Sequence, residues 1–374
     1  MCTRLTISLA MFPLLSSLAA SLGRAAEKVP ILYSTDLHHP HMDPDDHFDL
    51  ATLFAMPEFD VRGIVLDCGG HQQKAPGEIP VGQILHLTRR KVPYAIGLGK
   101  PLRRATDDGR DQPGEFQRGV RLILDALRES PEKLTVFTTG SLRDVAAAFN
   151  REPELLRRKI GRLYINIGNP AIEKESRRYE YNVNLDRHAY VCVMRSGLPI
   201  YWCPCFHGTI RERGVHGTYW KFDQRRVLET APKGLQNWFI FALTKPQNAD
   251  PIAFLSAPQD PAARTKVWKM SRNMWCTAPF LHAAGRRVYL RSHRDYVALP
   301  SLEAQQSGLS EKEVNVFDFV PMRVTVQGDS GGTVSVDFET DAAEPNGYVF
   351  QSIWTDYDQI LTACLKNLLA DFEE

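Results

Sequence analysis

Short apolar, β-rich runs alternate with stretches whose apolar positions recur at helical spacing, from residue 29 to about residue 203. The runs predict strands at 30–35, 61–67, 92–96, 134–139, 162–168 and 198–203. The periodic stretches between them predict helices at 46–56, 79–90, 114–129, 141–149 and 186–196. Ser141, after the Gly140 turn, opens one of these with ordinary capping chemistry. Alternation of this kind gives an α/β chain with an open, mostly parallel, Rossmann-like sheet flanked by helices. Residues 206–234 are rich in Gly, His and Arg and weakly periodic, which suggests a long surface segment over the sheet edge, a candidate lid. Helical spacing resumes at 235–244 and 259–272. Strands are expected within 314–353 around a Gly-rich turn at 328–332, and an amphipathic helix runs from Tyr357 to Phe372.

Residues 1–26 stand apart from this pattern. Arg4 precedes an apolar, Ala/Ser/Leu-rich stretch from Leu5 to Leu22, broken by Pro13, and Gly23-Arg24-Ala25 offers small residues for cleavage near Ala25 or Ala26. These are the marks of an export signal, so the expectation is a periplasmic or secreted protein with a single domain over 27–374. No other segment reaches about 18 uninterrupted apolar residues, so no membrane span is expected in the mature chain. Hydrophobic residues make up 43% of the chain, enough for a sizeable core. Removing Arg4 and Arg24 lowers the basic count from 45 to 43, against 44 acidic residues. That balance gives no electrostatic reason to expect nucleic acid or an anionic membrane as partner. A homo-oligomer stays open. Most of Cys68, Cys192, Cys203, Cys205, Cys276 and Cys364 sit in apolar patterns, where a free thiol acts as a small hydrophobe. Cys203-Pro204-Cys205 lacks the second pair of a zinc site.

The chemistry concentrates after the first predicted strand. Asp36, Asp43, Asp45 and Asp46 crowd the loop that follows Val29-Pro30-Ile31-Leu32-Tyr33 and precedes the helical pattern of Phe48, Leu50, Ala51, Leu53 and Phe54. Carboxylates so close repel one another unless a cation or bound hydroxyls compensate. In an open α/β sheet, ligands bind at the C-terminal ends of the strands. Taken alone, the cluster is equally a solvated acidic turn with Asp45 or Asp46 capping the helix. His38, His39 and His41 with Asp43 would also permit a zinc site, although oxygen donors dominate the cluster and favour a harder cation.

The order of motifs resembles the nucleoside hydrolases, which cleave N-glycosidic bonds of ribonucleosides with calcium. Ser34-Thr35-Asp36 and Asp45-Asp46 match the two halves of that family's opening acidic motif. The likeness continues through Gly63-Ile64-Val65, Val92-Pro93, Gly97, Lys100-Pro101-Leu102 and Thr138-Thr139-Gly140-Ser141-Leu142. It then runs through Glu154-Leu155-Leu156, Ile165-Asn166-Ile167-Gly168, Glu180 to Asp186, Ser196 to Ile200, Ala249-Asp250-Pro251 and Asp356 to Leu361. The resemblance implies that Asp36, Asp46, the carbonyl of Thr139 and Asp250 ligate Ca2+. A hard cation of this kind takes six to eight oxygens, roughly, so positions remain for water and a sugar diol. It also implies that Asp36 is the catalytic base, accepting a proton from water activated by the metal. Asp45 would hold the ribose hydroxyls, and Glu180 and Asn182 the sugar's other polar edge. Charge that develops on the sugar as the base leaves would be stabilised by such a carboxylate-lined site.

The chain departs from that pattern mainly where the leaving base would sit. The loop from Leu37 to Pro44 is lengthened and adds Asp43 as a further candidate ligand; the first family Asp is Ser34; and Ala249 stands where many members carry a base-facing His. His71, His207, His216, Tyr219 and Trp220 are candidates for a replacement acid or stacking surface. The function expected is Ca2+-dependent hydrolysis of a ribonucleoside or related small-molecule riboside. The alternatives are hydrolysis of another glycoside on the same metal site, or a catalytically silent sugar- or nucleoside-binding protein.

Overall fold

The computed structural model describes residues 28–41, 44–176, 179–209, 211–246, 248–328 and 334–374. In chain order it forms β1 (Val29–Thr35), α1 (Asp45–Phe54), β2 (Phe59–Leu66), α2 (Glu78–Leu87) and β3 (Tyr94–Ile96). Next come α3 (Arg118–Glu129), β4 (Leu134–Thr138), α4 (Arg143–Arg151), α5 (Pro153–Lys159) and β5 (Ile160–Asn166). Then follow α6 (Pro170–Ser176), α7 (Tyr181–Leu185), α8 (Arg187–Met194), β6 (Ile200–Cys203), β7 (Trp220–Asp223) and α9 (Gln224–Leu228). After these lie α10 (Lys233–Thr244), α11 (Pro251–Ser256), α12 (Pro261–Trp268), β8 (Ser271–Met274), α13 (Thr277–Ala283), β9 (Arg286–Ser292) and β10 (Asp295–Pro300). The chain ends with α14 (Ser301–Gln306), β11 (Glu313–Val314), β12 (Phe317–Gln327), β13 (Ser335–Glu339), β14 (Gly347–Ser352) and α15 (Tyr357–Ala370).

The main sheet has nine strands in the order β13-β12-β14-β6-β5-β4-β1-β2-β3. From β14 to β3 every pairing is parallel, while β12 and β13 add an antiparallel edge. The central strands are buried on both faces, as continuous apolar runs such as Ile31-Leu32-Tyr33 and Leu163-Tyr164-Ile165 require. Two apolar layers cover the sheet, one around Phe48, Phe59 and Trp238, the other around Leu124, Val145 and Tyr190. The expected α/β class and its mostly parallel sheet are therefore present. Strand β14 joins the sheet beside β6, which ties the C-terminal region to the N-terminal one.

Local pattern misjudged two regions. The stretch read as a surface lid at 206–234 is only partly that: β7 and α9 lie within it, and Trp220, Phe222, Val227 and Leu228 are core residues. The helix expected at 259–272 stops at Trp268, and β8 then pairs antiparallel with β7. Among the described residues no helix is long and apolar enough to cross a membrane. The six described cysteines are free thiols, all buried. The proposed export signal, like Asp43 and most of the turn at 328–332, lies outside the described residues.

Candidate active site

Asp36 follows β1 directly, and Asp45 and Asp46 form the first turn of α1. Thr139 and Gly140 follow β4, the strand beside β1. All of these sit at the carboxyl edge of the parallel sheet, so two stretches about a hundred residues apart meet because neighbouring strands end together. Asp36 and Asp46 are 8% and 7% exposed. The Tyr33 hydroxyl donates to Thr139 Oγ1 (3.1 Å), which donates to Asp46 Oδ1 (2.8 Å); Thr35 also donates to Asp46. Gln72 Nε2 donates to Asp36 Oδ2 (3.1 Å), a contact that the sequence did not single out. Gly140 has to be glycine: a Cβ there would lie 2.7 Å from Asp36 Cβ.

A buried ion network fixes the loop that carries Thr139. Arg143, the first residue of α4, pairs with Asp186 (3.1 Å) and Asp67 (3.5 Å), and Asp67 Oδ2 accepts the Ser141 amide (2.7 Å). From α7, Asn182 Nδ2 donates to the carbonyl of Asn166 at the end of β5 (3.1 Å) and more weakly to the Thr139 carbonyl (3.4 Å). Glu180 caps α7, accepting the Asn182 amide (2.9 Å), and also accepts the Gly168 amide (3.0 Å).

Asp36, Asp45, Thr139, Glu180, Asn182 and His71 line one cavity of about 890 Å³. That volume is ample for a small ligand. Aromatic side chains line it too: Phe206, Trp275 and Tyr181 border the cavity, and Trp275 packs against Phe206 and Tyr219. Trp275 Nε1 is buried and has no hydrogen-bond partner among the described residues. Of the other candidates named from sequence, Trp220 is core, and His216 is held to the Phe350 carbonyl beside His207, outside the cavity.

Asp250 is corrected. It is exposed and caps α11, accepting the amides of Ile252 (2.9 Å) and Ala253 (2.8 Å), and it does not line the cavity. An Asp before Pro at a helix start satisfies capping chemistry by itself, and the resemblance had attached a metal role to that same dipeptide. Ala249 moves away from the cavity with it. The segment that reaches the cavity from the C-terminal region is instead Asn273 to Cys276, at the start of α13. Trp275 and Cys276 gave no signal in the sequence, because both residue types usually mean core.

The donors fit a hard divalent cation. Burial first, and then Asp46, push the Asp36 carboxyl well above the usual carboxylate range, and burial also raises Asp46. Each of the two carboxyls lies in the other's field, and a cation between them would supply the compensating charge. Among the described residues no three His, Cys, Asp or Glu side chains form a ready-made metal cluster, so carbonyls, water or ligand hydroxyls would complete the shell.

The profile of inosine-uridine preferring nucleoside hydrolases matches residues 35–356. The chain belongs to this family. Two curated nucleoside hydrolases align with it over 188 residues: the pyrimidine-specific ribonucleoside hydrolase RihA of Citrobacter koseri at 30% identity and that of Escherichia coli O1:K1 at 29%. Each alignment covers 46% of this chain and 58% of the relative, so the chain spans little more than half the length of the curated relatives it matches. Among solved structures, a plant nucleoside hydrolase, PpNRh1, superposes with a TM-score of 0.52 at 16% identity, covering 91% of this chain and 99% of that one. An inosine-guanosine nucleoside hydrolase superposes with a TM-score of 0.53 at 15% identity, covering 92% and 98%. These two share the nucleoside hydrolase fold with it.

Proposed function

We propose that this protein is a Ca2+-dependent hydrolase that cleaves the N-glycosidic bond of a ribonucleoside or related riboside. The observation that carries the reading is the meeting of Asp36, Asp45, Thr139, Glu180 and Asn182 in one cavity, with Asp46 held just behind it by the Thr139 hydroxyl. Asp36, Asp46 and the Thr139 carbonyl would hold the cation, which when bound supplies Lewis acidity and a template for water and the sugar diol. Asp36 removes the proton of the attacking water. Asp45 engages ribose hydroxyls, and Glu180 and Asn182 engage the far edge of the sugar. Positive charge that grows at the anomeric carbon is met by the surrounding carboxylates.

The leaving group faces Trp275 and Phe206. An indole cannot serve as a general acid near neutral pH, but the free Trp275 Nε1 can donate a hydrogen bond to a departing base. Such a site favours leaving groups that depart without full protonation, so p-nitrophenyl riboside should turn over faster than inosine. The same wall gives the silent-binder reading its support. Liberation of ribose from inosine, uridine, adenosine, cytidine and p-nitrophenyl riboside, with calcium and after EDTA, tests both. Turnover that collapses in EDTA and returns with calcium supports the hydrolase. Binding without turnover on every riboside would leave only the cradle. Export belongs to the same proposal, and N-terminal sequencing of protein secreted by its host, expected to begin near Ala26 or Glu27, checks it.

A further inference from the structure

Gln72 stands in the loop after β2, in a single turn at Gln72–Lys74 where the Gly69 and Gln72 carbonyls accept the Gln72 and Ala75 amides (both 3.1 Å). The His39 amide donates to the Ala75 carbonyl (3.0 Å), which ties this loop to the one after β1. The Gln72 side chain is 2% exposed and lines the active-site cavity. One end of its amide is engaged: Nε2 donates to Asp36 Oδ2 (3.1 Å). The other end is not. Oε1 is buried and has no hydrogen-bond partner among the described residues. The Tyr181 hydroxyl approaches the same amide without closing a bond to Oε1. A buried acceptor left without a donor is costly, and a tether to Asp36 needs only the N–H end of the amide. The unpaired Oε1 is therefore an acceptor held next to the carboxylate that takes a proton in the reaction.

We propose that Gln72 positions the attacking water, its Oε1 accepting one O–H while Asp36 accepts the other. Glutamine suits this task because one planar group donates to the base and accepts from the nucleophile. With both O–H bonds engaged, a lone pair of the water is left for the anomeric carbon. As the new C–O bond forms, the glycosidic bond breaks and its electron pair leaves with the departing group. Asp36 takes one proton of the water, and the proton held by Gln72 stays on the sugar's new hydroxyl. The inference rests on the base role proposed above for Asp36 and adds a residue to the same step.

Competition between water and methanol reads this directly. Methanol has a single O–H, which Asp36 must take, so wild type should favour water as the nucleophile. Gln72→Leu removes the acceptor for the second O–H. With p-nitrophenyl riboside in mixed methanol and water, the variant's ratio of methyl riboside to ribose should rise by roughly threefold or more, the worth of one hydrogen bond. Its kcat should fall at least roughly tenfold, as for other misplaced reactants, with KM close to that of wild type. Calorimetric titration of Ca2+ into metal-stripped Gln72→Leu should give wild-type affinity. An unchanged product ratio in the folded variant, with or without a fall in kcat, would leave Gln72 a tether of Asp36 and overturn the proposal. Calcium affinity that drops along with turnover would make Gln72 a support of the metal site and overturn it equally. Should Gln72→Leu not fold, Gln72→Met carries the same comparison. A wild type that hydrolyses no riboside overturns the proposed function itself, a result distinct from an unchanged ratio.

Discussion

Asp250 and Asp46 both begin helices, and only their surroundings separate a cap from a candidate metal ligand. Asp250 spends its Oδ1 on two backbone amides in contact with solvent. Asp46 is buried, receives the Thr35 and Thr139 hydroxyls, and lies in the field of Asp36. Asp250→Ala should therefore cost about 1 kcal/mol of stability, the usual worth of an N-cap, with kcat/KM and calcium affinity unchanged. Loss of activity in Asp250→Ala would restore it to the site. Asp36→Asn should lower turnover by at least roughly 100-fold, the scale of a general base, while the variant still binds ribose. Equal turnover would remove Asp36 from the mechanism. At this scale the sequence was readable where charge clusters, at Asp36, Asp45 and Asp46, while Glu180 and Asn182 were reached through the family resemblance; all five lie at the cavity or in its hydrogen-bond network. It was unreadable where a buried carboxylate sits among apolar residues. Asp49 lies inside the apolar period of α1, and nothing in that period distinguishes an acid aimed at the cavity from one on a solvated face.

The helices and strands themselves followed from periodicity wherever an element is long and feeds the parallel sheet, because apolar spacing is set by the core it meets. Elements defined by a distant partner did not follow. Strand β8 exists because it pairs with β7, some fifty residues earlier, and its own residues, Ser271 to Met274, carry no alternation. Helix α4 shows what element packing imposes on titration. Its second residue, Asp144, abuts Gly97 so closely that a Cβ there would lie within bonding reach of Oδ2, and it accepts the Leu98 amide through Oδ1 (3.0 Å). Burial, with Asp67 nearby, pushes Asp144 up to about 7, and burial likewise pushes Glu173 up to about 7. The folded chain thus keeps protons that the unfolded chain releases near pH 4. The stability these groups contribute is complete below that value and is lost as pH climbs towards 7. Each contributes a slope of up to about 1.4 kcal/mol per pH unit within that window. Asp107 and Asp295, whose carboxyls are lowered, act below it, whereas the imidazoles of His41, His47 and His282, lowered by burial, oppose it within the same window. Asp144→Asn keeps an acceptor for the Leu98 amide and should remove its own share of the falling slope, leaving the variant's curve less downward than wild type's. Urea unfolding at intervals from pH 5 to 8 measures this, and parallel curves for the variant and wild type would refute it.

Taken whole, the molecule builds one cavity from segments spread over more than half the chain: the end of β1, the start of α1, the β4–α4 turn, the α7 cap and the Asn273–Cys276 segment. The acidic cluster pointed to the first two, and the family resemblance, not local pattern, singled out the β4–α4 turn and the α7 cap. The fifth depends on how the C-terminal region folds back beside α1, which no local spacing encodes. A cation held by Asp36, Asp46 and Thr139 would cross-link β1, α1 and the β4–α4 turn, and the unfolded chain has no comparable arrangement of oxygens. Calcium should therefore stabilise the whole fold and not merely the loop. At a hundred times its dissociation constant the gain is about 2.7 kcal/mol by mass action alone. Asp46→Ala should abolish that gain, because it removes the carboxylate that both threonine hydroxyls orient. In EDTA the variant should differ little from wild type, since the lost carboxyl was itself raised by burial and its hydrogen bonds only partly offset that cost. Scanning calorimetry of both proteins in calcium and in EDTA separates the two effects. A wild-type melt that calcium leaves unmoved would mean the acidic cluster is held together by shared protons rather than by a cation.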